Sequence, residues 1–272
     1  MEIKEITSRQ NTLVTWAASL KEKKYRERSE SFLIDGVKLV CEALDAHLPV
    51  THLFLTASGM AAFGDALLSR CQALREAAPQ VILLSDACFE KISSEKAPQG
   101  VIAAIKYLDF FKSFDKINSV DISPRALFLS SVRDPGNLGA IIRSAAAFGT
   151  KDLLLSADSA DIYHPRVLRA AMGTLFRMRV FLLSDEKAAV RALRASGRRL
   201  FAAELREGAV PLFSLDLKRE DVFVIGNEGH GIDPSLSALC DGSVYIPISA
   251  GVESLNASVA ASVLLWEQSK CK

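Results

Sequence analysis

Three stretches of this 272-residue chain place polar side chains beside flexible backbone. The first is Val132-Arg-Asp-Pro-Gly-Asn-Leu-Gly-Ala-Ile-Ile-Arg-Ser-Ala-Ala-Ala-Phe-Gly149. Its Pro135, Gly136 and Gly139 read as a loop that brings backbone N–H groups to a helix N-terminus, a setting that suits an anion. Asn137 stands at the expected N-cap. Arg143 follows among small and apolar neighbours, where a guanidinium takes a phosphate or carboxylate partner. The second stretch, Val222-Phe-Val-Ile-Gly-Asn-Glu-Gly-His-Gly231, interleaves glycines with Asn227, Glu228 and His230. Its G-x-x-G-x-G spacing is neither the dinucleotide fingerprint nor a Walker loop. It still puts backbone and a carboxylate at the end of an apolar strand, where α/β sheets bind ligands. In the third, Val244–Ala260, a strand ends at Pro247 and Ser254-Leu-Asn256 opens the last helix, so N–H groups and hydroxyls converge. Each stretch also has a plain structural reading: Asn137 and Ser254 as caps, Arg143 as an ion-paired surface arginine, Glu228 and His230 as solvated turn residues. Three strand-end loops in one chain carry more weight than any alone, because a single site can draw on all of them.

The elements that must position these loops follow from hydrophobic periodicity. From the N-terminus to about Lys106, short apolar runs alternate with helical segments, as in a three-layer α/β unit. The opening helix puts Leu13, Trp16, Ala17 and Leu20 on one face and ends in the charged run Lys21–Arg28. Leu108–Pro124 breaks the rhythm and reads as a linker. The second block has strands at Ala126–Ser131, Asp152–Ser156, Arg179–Leu183, Arg199–Glu204, Val222–Ile225 and Ser243–Ile248, with a helix from about Leu138 to Phe148 that Gly149 ends. Val222–Ile225 is apolar throughout, which implies burial on both faces of a parallel sheet. In the C-terminal helix Leu255, Val259, Val263 and Trp266 fall near one face.

Composition narrows the partners. With 33 basic and 32 acidic residues the formal net charge is +1, which sets aside a polycation that binds by bulk charge. Between Arg125 and Arg179, however, eight basic residues face four acidic ones, a local excess that suits a nucleic acid. Arg133 belongs to this group, and Arg166 and Arg169, three apart on an expected helix, can face one phosphate track. The five cysteines form no C-x-x-C pair and fit a reducing, cytoplasmic setting. The histidines show no metal-ligand spacing, no apolar run reaches the length of a membrane span, and no secretory signal opens the chain.

Taken together, N-x-G-A-I-x-R-x-A-A-A-F-G, then I-G-N-E-G-x-G, then I-P-I…E-S-L-N-x-S-V-A-A-S resemble the three motifs of the SpoU (TrmH-like) branch of the SPOUT methyltransferases. The segment His164–Phe176 looks like the family's intermediate segment, and the resemblance covers about Ala126 to Trp266. Phe32–Leu44 looks like the ribosomal-protein-like substrate-binding domain often attached to this family, with Asp35 where Glu is common. The resemblance implies an α/β fold with an RNA substrate-binding domain at 1–107, a linker at 108–124 and a SPOUT methyltransferase domain at 125–272. It implies a parallel sheet and a deep trefoil knot in that last domain, and a homodimer formed through it that completes the active site across the interface.

The same resemblance implies methyl transfer from S-adenosyl-L-methionine to a ribose 2′-hydroxyl in RNA. Gly226, Ile246 and Leu255 would surround the cofactor, held largely by backbone groups. Arg143 takes the position of the catalytic arginine. A guanidinium keeps its proton in proteins, so it would act as a cationic clamp on a phosphate and on the developing alkoxide, not as a literal base. Asn137, Glu228, Ser254 and Asn256 would position the ribose, the arginine and the loops. Ribosomal RNA is the expected substrate, with a tRNA enzyme and a catalytically silent RNA-binding protein of the same fold as alternatives.

Overall fold

The computed structural model describes residues 3–108, 111–113 and 122–271. In chain order the first elements are β1 (Ile3–Ile6), α1 (Thr12–Ser19), α2 (Lys23–Ser29), β2 (Ser31–Asp35), α3 (Val37–Asp45), β3 (Val50–Leu55), α4 (Ala57–Ala73), β4 (Gln80–Leu84), α5 (Asp86–Ile92) and β5 (Val101–Lys106). Then follow β6 (Phe111–Ser113), β7 (Ala126–Leu129), α6 (Pro135–Ala147), β8 (Asp152–Ser156), α7 (Pro165–Ala171), β9 (Arg179–Leu183), α8 (Glu186–Ala195) and β10 (Leu200–Ala203). The chain closes with β11 (Val210–Pro211), β12 (Val222–Ile225), α9 (Pro234–Ser237), β13 (Gly242–Tyr245) and α10 (Ala257–Ser269). None of the described helices is long and apolar enough to cross a membrane.

Two compact units result. The first comprises Met1–Leu108 and Tyr163–Phe176. Its five strands run in the order β1-β4-β3-β5-β2. Strands β1, β4 and β3 are parallel, and β5 is antiparallel to both of its neighbours. Phe54, Ile82 and Ile102 point to the face covered by α1 and α5, where Val14, Ala17, Cys88 and Phe89 complete a core. Tyr163 explains why a late segment belongs here. Its ring stacks on Phe32 and on Tyr107, each with centroids 4.4 Å apart, and its hydroxyl accepts the Leu108 N–H at 3.1 Å. Helix α7 packs on β2. The division expected at 107 and 125 is therefore crossed by Tyr163–Phe176. Of the expected linker, residues 109–110 and 114–121 lie outside the described residues, while Phe111–Ser113 pairs in parallel with β9.

The second unit comprises Asp109–Ile162 and Arg177–Lys272. Its eight strands lie in the order β11-β13-β10-β12-β7-β8-β9-β6, and every pairing is parallel. β7, β8 and β12 are buried at every position, as apolar runs predict for a sheet covered on both faces. Phe128, Leu154, Phe181 and Val224 meet Val190 and Leu193 of α8 and Leu236 of α9 on one face. On the other face α6 and α10 pack against each other, and α10 against β12.

Local chemistry moved several boundaries. Helix α6 begins at Pro135, three residues before the expected Leu138, because Pro135 needs no N–H bond there and the Asp134 side chain accepts the Asn137 N–H at 2.8 Å. Asp134, not Asn137, is therefore the N-cap. Gly149 ends the helix region at φ +79°, as expected. Strand β13 stops at Tyr245 instead of Ile248, just ahead of Pro247, which has no donor for a ladder. Lys21–Arg28 does not continue α1; its residues from Lys23 form a separate helix. In α10 the buried stripe is Ala261, Leu264, Leu265 and Gln268, while Val259 and Trp266 remain 47% and 53% exposed. The helix is apolar around most of its circumference, so periodicity did not select the inner face.

Candidate functional site

Strands β7, β12 and β13 all deliver their loops to the carboxyl edge of the second unit's parallel sheet, and the three motifs meet there. Asn256 caps α10, its Oδ1 accepting the Ser258 N–H at 2.9 Å and the Val259 N–H at 3.4 Å. That bond fixes its amide, so Nδ2 donates to Asn137 Oδ1 at 2.9 Å. Asn137 Nδ2 in turn donates to Glu228 Oε1 at 3.0 Å. A helix cap thus sets the direction of a three-residue relay that ends on a carboxylate acceptor. Asn256, not Ser254, is the cap; Ser254 is exposed on the rim of a neighbouring cavity.

The Glu228 loop is fixed from within. Asn227 Oδ1 accepts the N–H groups of Gly229 and His230 at 2.8 and 3.1 Å, and its Nδ2 donates to the Ser131 carbonyl at 2.9 Å. Asn227 and Gly231 also exchange backbone hydrogen bonds, both 2.9 Å. Gly226 sits behind this turn. A Cβ there would come within 2.4 Å of the Gly231 carbonyl carbon and 2.6 Å of the Ile232 nitrogen, so only glycine allows the loop to fold back. Ser131, at φ +57°, aims its hydroxyl at Asp158 Oδ2, 2.7 Å away. Arg133 reaches the same oxygen at 3.0 Å. Burial pushes the Asp158 carboxyl up, but the hydrogen bonds from Ser131, Arg133 and Ser156 outweigh it and hold the group below its ordinary value.

Beside the relay lies a cavity of about 460 Å³, within the range of small-molecule sites. Val244, Ile246, Leu255, Ala260 and Leu264 supply apolar wall, and Glu204, Tyr245, Glu253 and Ser254 bring polar groups to it. Ile246 and Leu255, expected around a cofactor, line it. Gly226 does not; it acts through the loop. The cavity fits a nucleoside-containing sulfonium compound in volume and in its mixture of apolar wall and carboxylates. Among the described residues no group of three or more His, Cys, Asp or Glu could hold a metal ion.

The arginines divide. Arg143 is exposed on α6 and makes no hydrogen bond or ion pair among the described residues. It lies six residues beyond Asn137, about 9 Å along the helix and well around it, so one chain does not bring it onto the relay. The expected anion site at the start of α6 is already served by the Asp134 carboxylate. Arg166 and Arg169 belong to the first unit, and Arg169 forms an ion pair with Glu95. Arg125 and Arg179 are taken up in structure. Arg125 donates to the carbonyls of Phe148, Ser269 and Cys271, and Arg179 pairs with buried Asp152. Of the local basic excess counted from the sequence, Arg125 and Arg179 are thus spent inside the fold, while Arg133, Arg143, Lys151, Arg166, Arg169 and Arg177 are exposed. In the Lys21–Arg28 run, Arg26 is buried and donates to the Leu20 and Lys21 carbonyls, both at 2.8 Å.

Asn227, Ser131, Asp158 and Glu204 went unassigned in the sequence. Asn227 lay inside a motif, but Asp158 and Glu204 carry no local signal.

Comparison with known proteins finds matches to both parts of the chain. Residues 124–266 match the SpoU rRNA Methylase family, and residues 11–103 match the MRM3-like substrate binding domain. The chain is 30% identical over 264 residues to the Bacillus subtilis 23S rRNA (guanosine(2553)-2′-O)-methyltransferase RlmP, covering 97% of this chain and 98% of that one. An AdoMet-bound rRNA methyltransferase from Sinorhizobium meliloti superposes with a TM-score of 0.84 at 27% identity, over 98% of both chains. The SpoU methyltransferase AviRb from Streptomyces viridochromogenes, in complex with AdoMet, gives 0.80 at 25% identity, over 96% of this chain and 98% of its own.

Proposed function

Because the chain belongs to the SpoU rRNA Methylase family, we propose that it methylates a ribose 2′-hydroxyl of ribosomal RNA. The observation that carries the reading is the relay Asn256–Asn137–Glu228, which joins all three motifs at the rim of a cofactor-sized cavity. S-adenosyl-L-methionine, when bound, supplies an electrophilic methyl group on a sulfonium. Ile246 and Leu255 would hold it from the cavity wall, and Gly226 keeps the adjoining loop in place.

The chain's own residues must make a poor nucleophile reactive. Glu228, with Oε1 held by Asn137, offers a fixed acceptor for a hydroxyl. Ser254 stands on the same rim. A cationic Arg143 stabilises the developing alkoxide and grips the neighbouring phosphate. Its distance from the relay within one chain supports a homodimer in which each copy's Arg143 serves the other's site. The exposed Val259 and Trp266 on α10, beside α6, support an apolar interface there. We read the passage through β12, β13 and α10 as the trefoil knot, and the first unit, with Arg166, as the RNA-gripping domain. Arg133 adds a phosphate contact beside the relay. A cytoplasmic site of action is the reading that the five free cysteines support.

The test is methyl transfer from tritiated cofactor to ribosomal RNA, with the modified nucleotide mapped in RNA from cells lacking the gene. Loss of one ribosomal 2′-O-methyl group is expected. Loss of a methyl group only in tRNA, or no transfer to any RNA, overturns the substrate or the activity.

A further inference from the structure

Glu204 stands out among the cavity's polar residues because one of its oxygens is spent and the other is not. It follows β10 at the carboxyl edge of the sheet. Its Oε1 accepts the Ser237 hydroxyl at 2.5 Å, the Ser243 hydroxyl at 2.8 Å and the Arg206 Nε at 3.2 Å. Ser237 and Ser243 are buried, and the Glu204 side chain is itself only 20% exposed. Oε2 accepts nothing among the described residues, and the residue lines the 460 Å³ cavity. Three donors therefore lock the carboxylate and leave its second oxygen uncommitted in a residue that lines the cavity, which is preorganisation for a hydrogen-bond donor.

The position along the sheet says which part of a ligand it meets. β10 is separated from β7 by β12 alone. At one strand spacing of about 4.8 Å each, the end of β10 lies about 10 Å from the end of β7, where α6 and the relay begin. That is the span of a nucleoside, so Glu204 lies at the end of the cavity remote from methyl transfer. We propose that Glu204 is the polar anchor of the cofactor's nucleoside, its Oε2 accepting a ribose hydroxyl. The inference rests on the reading of this cavity as the cofactor site. Glu253, the other carboxylate on the wall, is exposed and makes no hydrogen bond or ion pair among the described residues, so it lacks this fixed geometry.

The test is calorimetric titration of the full chain with S-adenosylhomocysteine and with 5′-methylthioadenosine, which keeps the nucleoside and lacks the amino acid. Glu204→Gln retains a carbonyl oxygen for Ser237, Ser243 and Arg206 and replaces the acceptor with an amide N–H. It is expected to weaken both ligands about 10- to 100-fold, the worth of a hydrogen bond to a charged group, with an unchanged melting midpoint. Glu207→Gln, at an exposed carboxylate outside the cavity lining, is expected to bind as the parent does. Analogues lacking the 2′- or the 3′-hydroxyl identify the donor: the one that matters binds weakly to the parent and loses nothing further in Glu204→Gln. If Glu204→Gln binds both ligands like the parent, or weakens only the ligand carrying the amino acid, the assignment is overturned. If the parent binds neither ligand, the cofactor reading of the cavity itself fails.

Discussion

The two edges of the second unit's parallel sheet use the same residue types to opposite ends. At the amino edge, aspartates just before or at the first residues of strands close on arginines. Arg179 grips Asp152 with two bonds of 2.7 and 2.6 Å, and Arg199 grips Asp221 with two of 2.9 and 2.6 Å. Arg194 reaches Asp241, whose other oxygen accepts the Leu200 N–H. Arg125 ties the ends of α6 and α10 to the start of β7. At the carboxyl edge, Glu228 and Glu204 are each held by one oxygen; Arg143, further along α6, is held by nothing among the described residues. Satisfied polar groups staple a fold; half-satisfied ones beside a cavity are available to a ligand. Counting charges along the chain therefore mixes two populations, only one of which is left available to a ligand.

Arg143→Ala carries the largest expected effect. An arginine that is left free for a ligand and stabilises developing charge should cost at least about 10²- to 10³-fold in kcat when removed, with melting midpoint and cofactor affinity unchanged. Arg143→Lys should recover little, because an ammonium lacks the planar fork. Near-normal tritium transfer by Arg143→Ala would place Arg143 with the structural arginines.

The amino edge predicts the reverse profile. Arg179→Ala leaves the Asp152 carboxylate, 0% exposed, without its cation. Breaking such a pair costs about 3 kcal/mol or more, so the urea midpoint should fall clearly while turnover per folded molecule stays near the parent's. Asp152→Asn in the same chain should restore part of the loss. A stable Arg179→Ala protein with low turnover would merge the two edges.

The relay sits between these extremes. Asn137→Ala removes two hydrogen bonds of about 1 kcal/mol each, so kcat should drop about tenfold or more. Asn137→Asp should do worse, because a carboxylate cannot donate to Glu228. Stability should change little, since Asp134 rather than Asn137 caps α6.

Much of this sheet was legible beforehand. Asp152–Ser156, Arg179–Leu183 and Val222–Ile225 begin and end where apolar runs begin and end. The three motif loops were legible as strand ends rich in glycine and polar residues. Their joining was not, because the relay links Asn137 to residues 91 and 119 positions away, and no local pattern encodes such pairs. The fates of Arg143 and Arg179 were illegible for the same reason: what separates them is a distant carboxylate. The short strands β6 and β11 escaped because two or three residues make no period. Tyr163 escaped because its stack on Phe32 and Tyr107 depends on tertiary contact.

Asp35, in the first unit, offers the mildest test, a half-buried carboxylate with one buried oxygen and no arginine bonded to it among the described residues. Its Oδ2 accepts the Ser93 hydroxyl at 2.5 Å and the Ser94 N–H at 3.4 Å, while Oδ1 is buried without a hydrogen bond. Burial raises its titration point. The bonds from Ser93 and Ser94 oppose that rise, Glu95 adds to it, and Arg169 offsets part. A folded value above the unfolded one means that the native state binds the proton more readily. Its contribution is then most favourable below about pH 4, the unfolded value, and declines as pH rises through the folded value. At pH 7 the charge is a cost, so Asp35→Asn should raise the urea midpoint, and the gain should shrink as the pH is lowered toward 4. Urea unfolding of both proteins at the two pH values reads this directly. A gain equal at both would mean that the substituted amide, not the lost charge, accounts for it. A loss at pH 7 would mean that Asp35 is as well satisfied as Asp152.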